Sequence, residues 1–90
     1  PQEHTYYLKR AALFFDQKQL DKAEPLARKA VERAYGENLV DSTVTLARVL
    51  KAQGKDEDAK AAARAALDKV TEPADPNSHL AKQIQELKGY

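Results

Sequence analysis

Cysteine, methionine and tryptophan are absent from these 90 residues. Without cysteine there is no disulfide, no thiol nucleophile and no thiolate metal site, while the redox compartment stays open. No apolar run approaches the roughly 18 residues of a membrane span, and no stretch has the pattern of a signal peptide. Charge of one sign is lacking too, because 15 Lys and Arg face 14 Asp and Glu, a formal net charge of +1. That balance gives no general attraction to nucleic acid or to an anionic membrane, so neither is an expected partner. The opening Pro1 and the missing methionine fit an excised or processed piece. A cytoplasmic or periplasmic location suits the chain, and its alanine and arginine usage has a bacterial style.

What is present is helical. A chain of this length forms one small domain, here 1–90, with a modest core. Apolar residues recur at spacings of three and four, and only three glycines and four prolines interrupt them. The pattern predicts five helices and an all-α fold. The first covers about 3–18; the second begins near Asp21 as a cap, tolerates Pro25 near its first turn and stops at Gly36. The third spans about 39–53 before Gly54, the fourth about 56–70, and the prolines of EPADPN (72–77) break the pattern before SHLAKQIQELKGY. Ser78 or Asn77 can cap that last helix, whose Leu80, Ile84 and Leu87 line one stripe.

Two segments repeat. KQLDKAEPLARKAV (18–31) lies over the stretch that begins QGKDEDAKAAARAAL (53–67) at an offset of 36. Ala59, Ala63, Ala66 and Leu67 then fall on Ala23, Ala27, Ala30 and Val31. Residues at i, i+4 and i+7 share one side of a helix, so Ala59, Ala63 and Ala66 form a shallow stripe that lets a neighbour come close. Ala61, Ala62 and Ala65 lie elsewhere and serve as helix formers. A repeated helix pair with short connections predicts an antiparallel, stacked array.

The stripe, its spacing and the preceding turn resemble the tetratricopeptide repeat (TPR), a helix-turn-helix unit of about 34 residues. In the first unit the matching positions are Tyr7, Ala11, Phe14, Leu20, Ala23, Ala27 and Ala30. In the second they are Leu46, Ala47, Leu50, Gly54, Ala59, Ala63 and Ala66, and DPN at 75–77 is similar to the family's inter-repeat connection. The resemblance implies two antiparallel helix-turn-helix repeats, about 4–38 and 39–75, and a C-terminal capping helix at about 77–89. There are departures: Lys18 stands where the turn glycine is usual, Arg10 replaces an apolar residue, and Thr43 and Asp56 occupy places of large side chains. The longer offset, with EPL at 24–26 and AYG at 34–36, is similar to the repeats of kinesin light chains and their bacterial relatives.

Nothing converges in a catalytic pattern. His4 and His79 stand at opposite ends of the sequence, and neither has a second ligand at i+3 or i+4. Asp56, Glu57 and Asp58 fit the first turn of a helix, where the helix dipole favours them. Ser42 and Ser78 have no histidine placed to activate them, and there is no phosphate-binding loop. Lys9, Arg10, Arg28, Lys29, Arg33, Lys60 and Arg64 interleave with Glu24, Glu32, Asp58 and Asp68, which reads as a mixed solvated surface. The expectation is a protein without catalysis, metal or cofactor.

The first helix carries more apolar surface than one interface needs. Tyr7, Ala11 and Phe14 suit packing on the second helix, while Leu8, Ala12 and Phe15 form a separate stripe. In tetratricopeptide arrays the first helix of each pair lines the concave face. The resemblance therefore implies a partner groove of Leu8, Ala12, Phe15, Val44, Arg48 and Lys51. Its ligand would be a protein or peptide segment, helical or extended, with an apolar anchor near Phe15 and carboxylates near Arg48 and Lys51. The lysine and asparagine clamp by which some family members hold chaperone tails does not match, because Leu8 and Ala12 occupy two of its places. The competing readings are an oligomerisation module in which Leu8 and Phe15 meet a second chain, further repeats in a longer parent chain, and a helical-repeat RNA binder, which the near-neutral charge disfavours.

Overall fold

A computed structural model describes residues 3–70 and 75–90. Residues 71–74, including Pro73 of the expected break, lie outside the described residues, as do Pro1 and Gln2. The elements are all helical: α1 (Glu3–Asp16), α2 (Leu20–Arg33), α3 (Glu37–Ala52), α4 (Asp56–Leu67) and α5 (His79–Lys88). The five helices fill 36 × 30 × 20 Å.

The order of helix contacts follows the chain. α1 packs on α2, α3 on α4, and α5 lies against both α3 and α4. α3 alone approaches all four others, whereas, among the described residues, α1 and α2 approach neither α4 nor α5. Its sequence suits that position: Leu39, Val40, Ser42, Thr43, Val44, Leu46, Ala47, Val49 and Leu50 are all buried, leaving Asp41, Thr45, Arg48, Lys51 and Ala52 as its more open side.

The alanines sit where their spacing places them. Ala23, Ala27 and Ala30 of α2 are fully buried, and Ala59, Ala63 and Ala66 of α4 are no more than 2% exposed. Ala61 and Ala65 face solvent, whereas Ala62, expected with them, is partly buried against the core. The small side chains bring backbones close, so these helices bury much of their area with few atoms.

The two helix-to-helix turns share the same closing pair of bonds. After α1, Gln19 N–H donates to Phe14 C=O at 2.8 Å and Lys18 N–H to Phe15 C=O at 3.0 Å. After α3, Lys55 N–H donates to Leu50 C=O at 2.9 Å and Gly54 N–H to Lys51 C=O at 3.0 Å. This crossed pair is the Schellman closure, which requires a left-handed residue just past the helix. Lys18 and Gly54 supply it, with φ of 61° and 80°.

Several helix ends differ from the sequence expectation. α1 stops at Asp16 and α4 at Leu67, each a few residues early. α2 begins at Leu20 with Gln19 at the cap position, so Asp21 lies inside the first turn and does not cap. The Schellman bonds explain this, because they commit Gln19 to both closing α1 and opening α2. Pro25 sits past the first turn, where it cannot donate to the Asp21 carbonyl. Gly36 does not close α2, which ends at Arg33; it opens α3 with φ 61° and ψ −137°, a conformation that glycine takes freely. At α5 the expected cap holds: Ala81 N–H donates to Ser78 Oγ at 3.1 Å.

Candidate functional site

The six residues expected to line a groove come from equivalent places on two helices, since Leu8, Ala12 and Phe15 of α1 map onto Val44, Arg48 and Lys51 of α3 at the same offset of 36. Phe15 is half-buried and lines a mostly apolar cleft with Asp16, Lys18, Leu20 and Ala52. Leu8 is half-buried and Ala12 exposed. Val44 is 3% exposed and belongs to the core, with only its edge reaching a cleft between α3 and α5. Arg48 lines that same cleft. Lys51 lines a different one, with Asp56, Lys60, Gly89 and Tyr90.

The α3 side of the site is held by α5. Arg48 donates from Nε and Nη2 to the two carboxylate oxygens of Glu86, each at 2.7 Å. About two turns towards the N-terminus of α3, Gln83 donates from Nε2 to Asp41 Oδ1 at 2.8 Å. Towards its C-terminus, the Lys51 ammonium lies 5.8 Å from the centre of the Tyr90 ring. The pairs 41 with 83, 48 with 86 and 51 with 90 ascend together, so α3 and α5 run in the same direction. Below these polar contacts Ile84 and Leu87, each 1% exposed, fasten α5 to the core.

The electrostatics follow from that clamp. The bidentate bond to Arg48 holds the Glu86 carboxyl below its ordinary range and raises the Arg48 guanidinium in return. Burial pushes the Tyr90 phenol up, and Glu86 adds to the rise. The cleft beside the clamp brings Asp41 and Glu86 together with Arg48, Lys82 and His79, so it is polar and of mixed charge. Among the described residues, no group of three His, Asp or Glu side chains converges on a point that could hold a metal ion. His4 bonds with the neighbouring Thr5 hydroxyl at 3.1 Å.

Sequence reasoning placed α5 as an end cover and missed that it supplies partners to Arg48 and Lys51. The signal was present: Gln83, Glu86 and Tyr90 form a polar row beside the apolar stripe of Leu80, Ile84 and Leu87. That row meets Asp41, Arg48 and Lys51 on α3. The exposed apolar residues of α1 also differ from those expected, because Tyr6 and Leu13 stand out to solvent at 58% and 53% while Leu8 and Phe15 do not. No helix among the described residues is long and apolar enough to cross a membrane. No protein-family model matches the chain, and comparison with curated proteins and with solved structures finds no match.

Proposed function

We propose that this chain is a non-catalytic protein–protein interaction scaffold, built as two TPR-like repeats and a capping helix, that binds a peptide or helix of a partner protein. The observation that carries the reading is the recurrence, 36 residues apart, of the same turn with the same hydrogen bonds and the same buried alanines. Such recurrence favours a stacked array, and stacked arrays offer extended, preformed surfaces. A surface whose helices are already fixed loses little entropy on binding.

The groove of this proposal runs over α1 and α3. Its apolar part is the cleft beside Phe15, and its polar part is the mixed-charge cleft that Arg48, Lys82 and Asp41 line. The expected ligand inserts an apolar side chain at Phe15 and presents polar or acidic groups near Arg48 and Lys51. Arg48 already forms two bonds with Glu86, so a ligand carboxylate there competes with α5 or joins the pair through the remaining guanidinium donors.

The test is selection of peptides on the wild-type chain from a displayed library, followed by affinity measurement on Phe15→Ala and Lys51→Glu. Both substitutions should weaken binding by about tenfold, the scale of one lost anchor, with helicity by circular dichroism unchanged. Equal affinity for wild type and both variants would refute the groove.

A further inference from the structure

A second surface gathers on α1 opposite the side that carries Phe15. At about 100° per residue, Tyr6, Leu13 and Phe14 lie within one sector centred on Arg10, and Leu8 and Phe15 lie roughly 140° to 160° away. Across this sector runs a lattice of rings and cations shared with α2. The Arg10 guanidinium lies 5.7 Å from the Tyr6 ring centre and 5.8 Å from that of Phe14. Lys22 lies 5.9 Å from Phe14, while Lys29 and Arg33 lie 5.5 and 5.4 Å from Tyr7. Tyr6 and Tyr7 meet edge to face at 5.3 Å. Lys22, Lys29 and Arg33 occupy i, i+7 and i+11, a single row along α2.

We propose that this face docks an amphipathic helix of a partner protein, whose apolar ridge covers Tyr6 and Leu13 and whose flanking carboxylates meet Arg10, Lys22 and Lys29. Charge complementarity selects this occupant. Stacking on a ring consumes none of a cation's N–H donors, so these three side chains keep their donors for carboxylates. Among the described residues none of the three forms an ion pair. Arg33, which pairs with Glu32 at 3.8 Å, is not needed for the match. On the side of Arg10 away from Phe14 and Tyr7, Tyr6 and Leu13 at 58% and 53% exposure supply an apolar strip along the edge of the cations.

The same observations disfavour two other occupants. A second copy placed symmetrically on this face would bring the cationic patch of Arg10, Lys22 and Lys29 against an identical cationic patch, and like charges across an interface are repulsive. A single strand of nucleic acid needs open ring faces for base stacking, yet Tyr6, Tyr7 and Phe14 each already carry a cation.

The experiment uses the full chain and three labelled probes: a synthetic helix of about five turns bearing a leucine ridge flanked by glutamates, its twin with lysines for the glutamates, and a uridine oligonucleotide. Fluorescence anisotropy should show the glutamate helix binding and the lysine twin weaker by about tenfold or more. The double variant K22E/K29E should lose about tenfold as well, and so should Leu13→Asp, while K60E/R64E on α4, with the same change of net charge, keeps its affinity. Should K22E/K29E lose helicity, the neutral pair K22Q/K29Q takes its place. The proposal is overturned if K60E/R64E weakens binding as much, if Leu13→Asp binds normally, or if the oligonucleotide displaces the helix. It is equally overturned if light scattering finds a dimer that K22E/K29E dissociates.

Discussion

Lys18 and Gly54 hold the same left-handed backbone conformation at the same point of two turns, with φ of 61° and 80°. Each closes its helix by donating to the carbonyl three residues before it, at 3.0 Å in both turns. The conformation is free for glycine and costs a side-chain-bearing residue about 1 kcal/mol or more. Lys18→Gly should therefore raise the stability of the fold by about 0.5 to 1 kcal/mol, net of the greater freedom glycine gives the unfolded chain. Gly54→Ala should lower stability by a similar amount, because nothing crowds a Cβ at that position and only the strain acts. Urea denaturation of the two variants, read against wild type, measures both signs.

The alanine stripe makes a second prediction. Ala63 is 1% exposed at the contact of α4 with its neighbours, so Ala63→Leu should overpack it and cost about 1 to 3 kcal/mol. Ala65, two residues on, faces solvent, and Ala65→Leu should stay within about 0.5 kcal/mol of wild type. A pair of thermal melts separates the two positions.

That contrast shows how far the sequence carries. The alternation of buried Ala59, Ala63 and Ala66 with open Ala61 and Ala65 was readable because helical geometry fixes which residues share a side. The helix ends were less readable, since Lys18 has no intrinsic taste for the left-handed region and is placed there by the packing of α1 on α2. Glycine at 54 announced the second turn; lysine at 18 concealed the first. The pairing of Arg48 with Glu86 depends on how two helices 38 residues apart are aligned, which spacing along one chain does not encode. Val44, which the spacing puts on the same stripe as Arg48, is buried because α5 packs on that side of α3.

Glu24 links the two helix pairs. Its carboxylate accepts from Lys55 Nζ at 2.8 Å and from Arg28 Nε at 2.9 Å. The bonds from Lys55 and then Arg28 lower its pKa from 4.5 to about 2. A carboxyl depressed on folding adds stability above its unfolded pKa and gives it up as pH falls through its folded pKa. The contribution, about 1 kcal/mol or less because Lys55 and Arg28 are well exposed, should be complete above pH 4.5 and fade towards pH 2. Glu24→Gln should therefore melt lower than wild type at pH 7, with the gap closing across that acid window.

Within α3, the Thr43 hydroxyl is buried and has no hydrogen-bond partner among the described residues. A valine there keeps the shape and removes the unpaired polar atom. Thr43→Val is expected to raise stability by about 1 kcal/mol, measured by the shift in urea midpoint at constant slope.

In the proposed function, α1 and α3 together present the face on which a partner segment binds. Amide chemical-shift mapping of the labelled chain, titrated with a peptide selected on it, tests this most directly. The largest changes should fall at Leu8, Ala12 and Phe15 on α1 and around Val44, Arg48 and Lys51 on α3. Changes confined to α4, with these six positions unmoved at saturation, would contradict it.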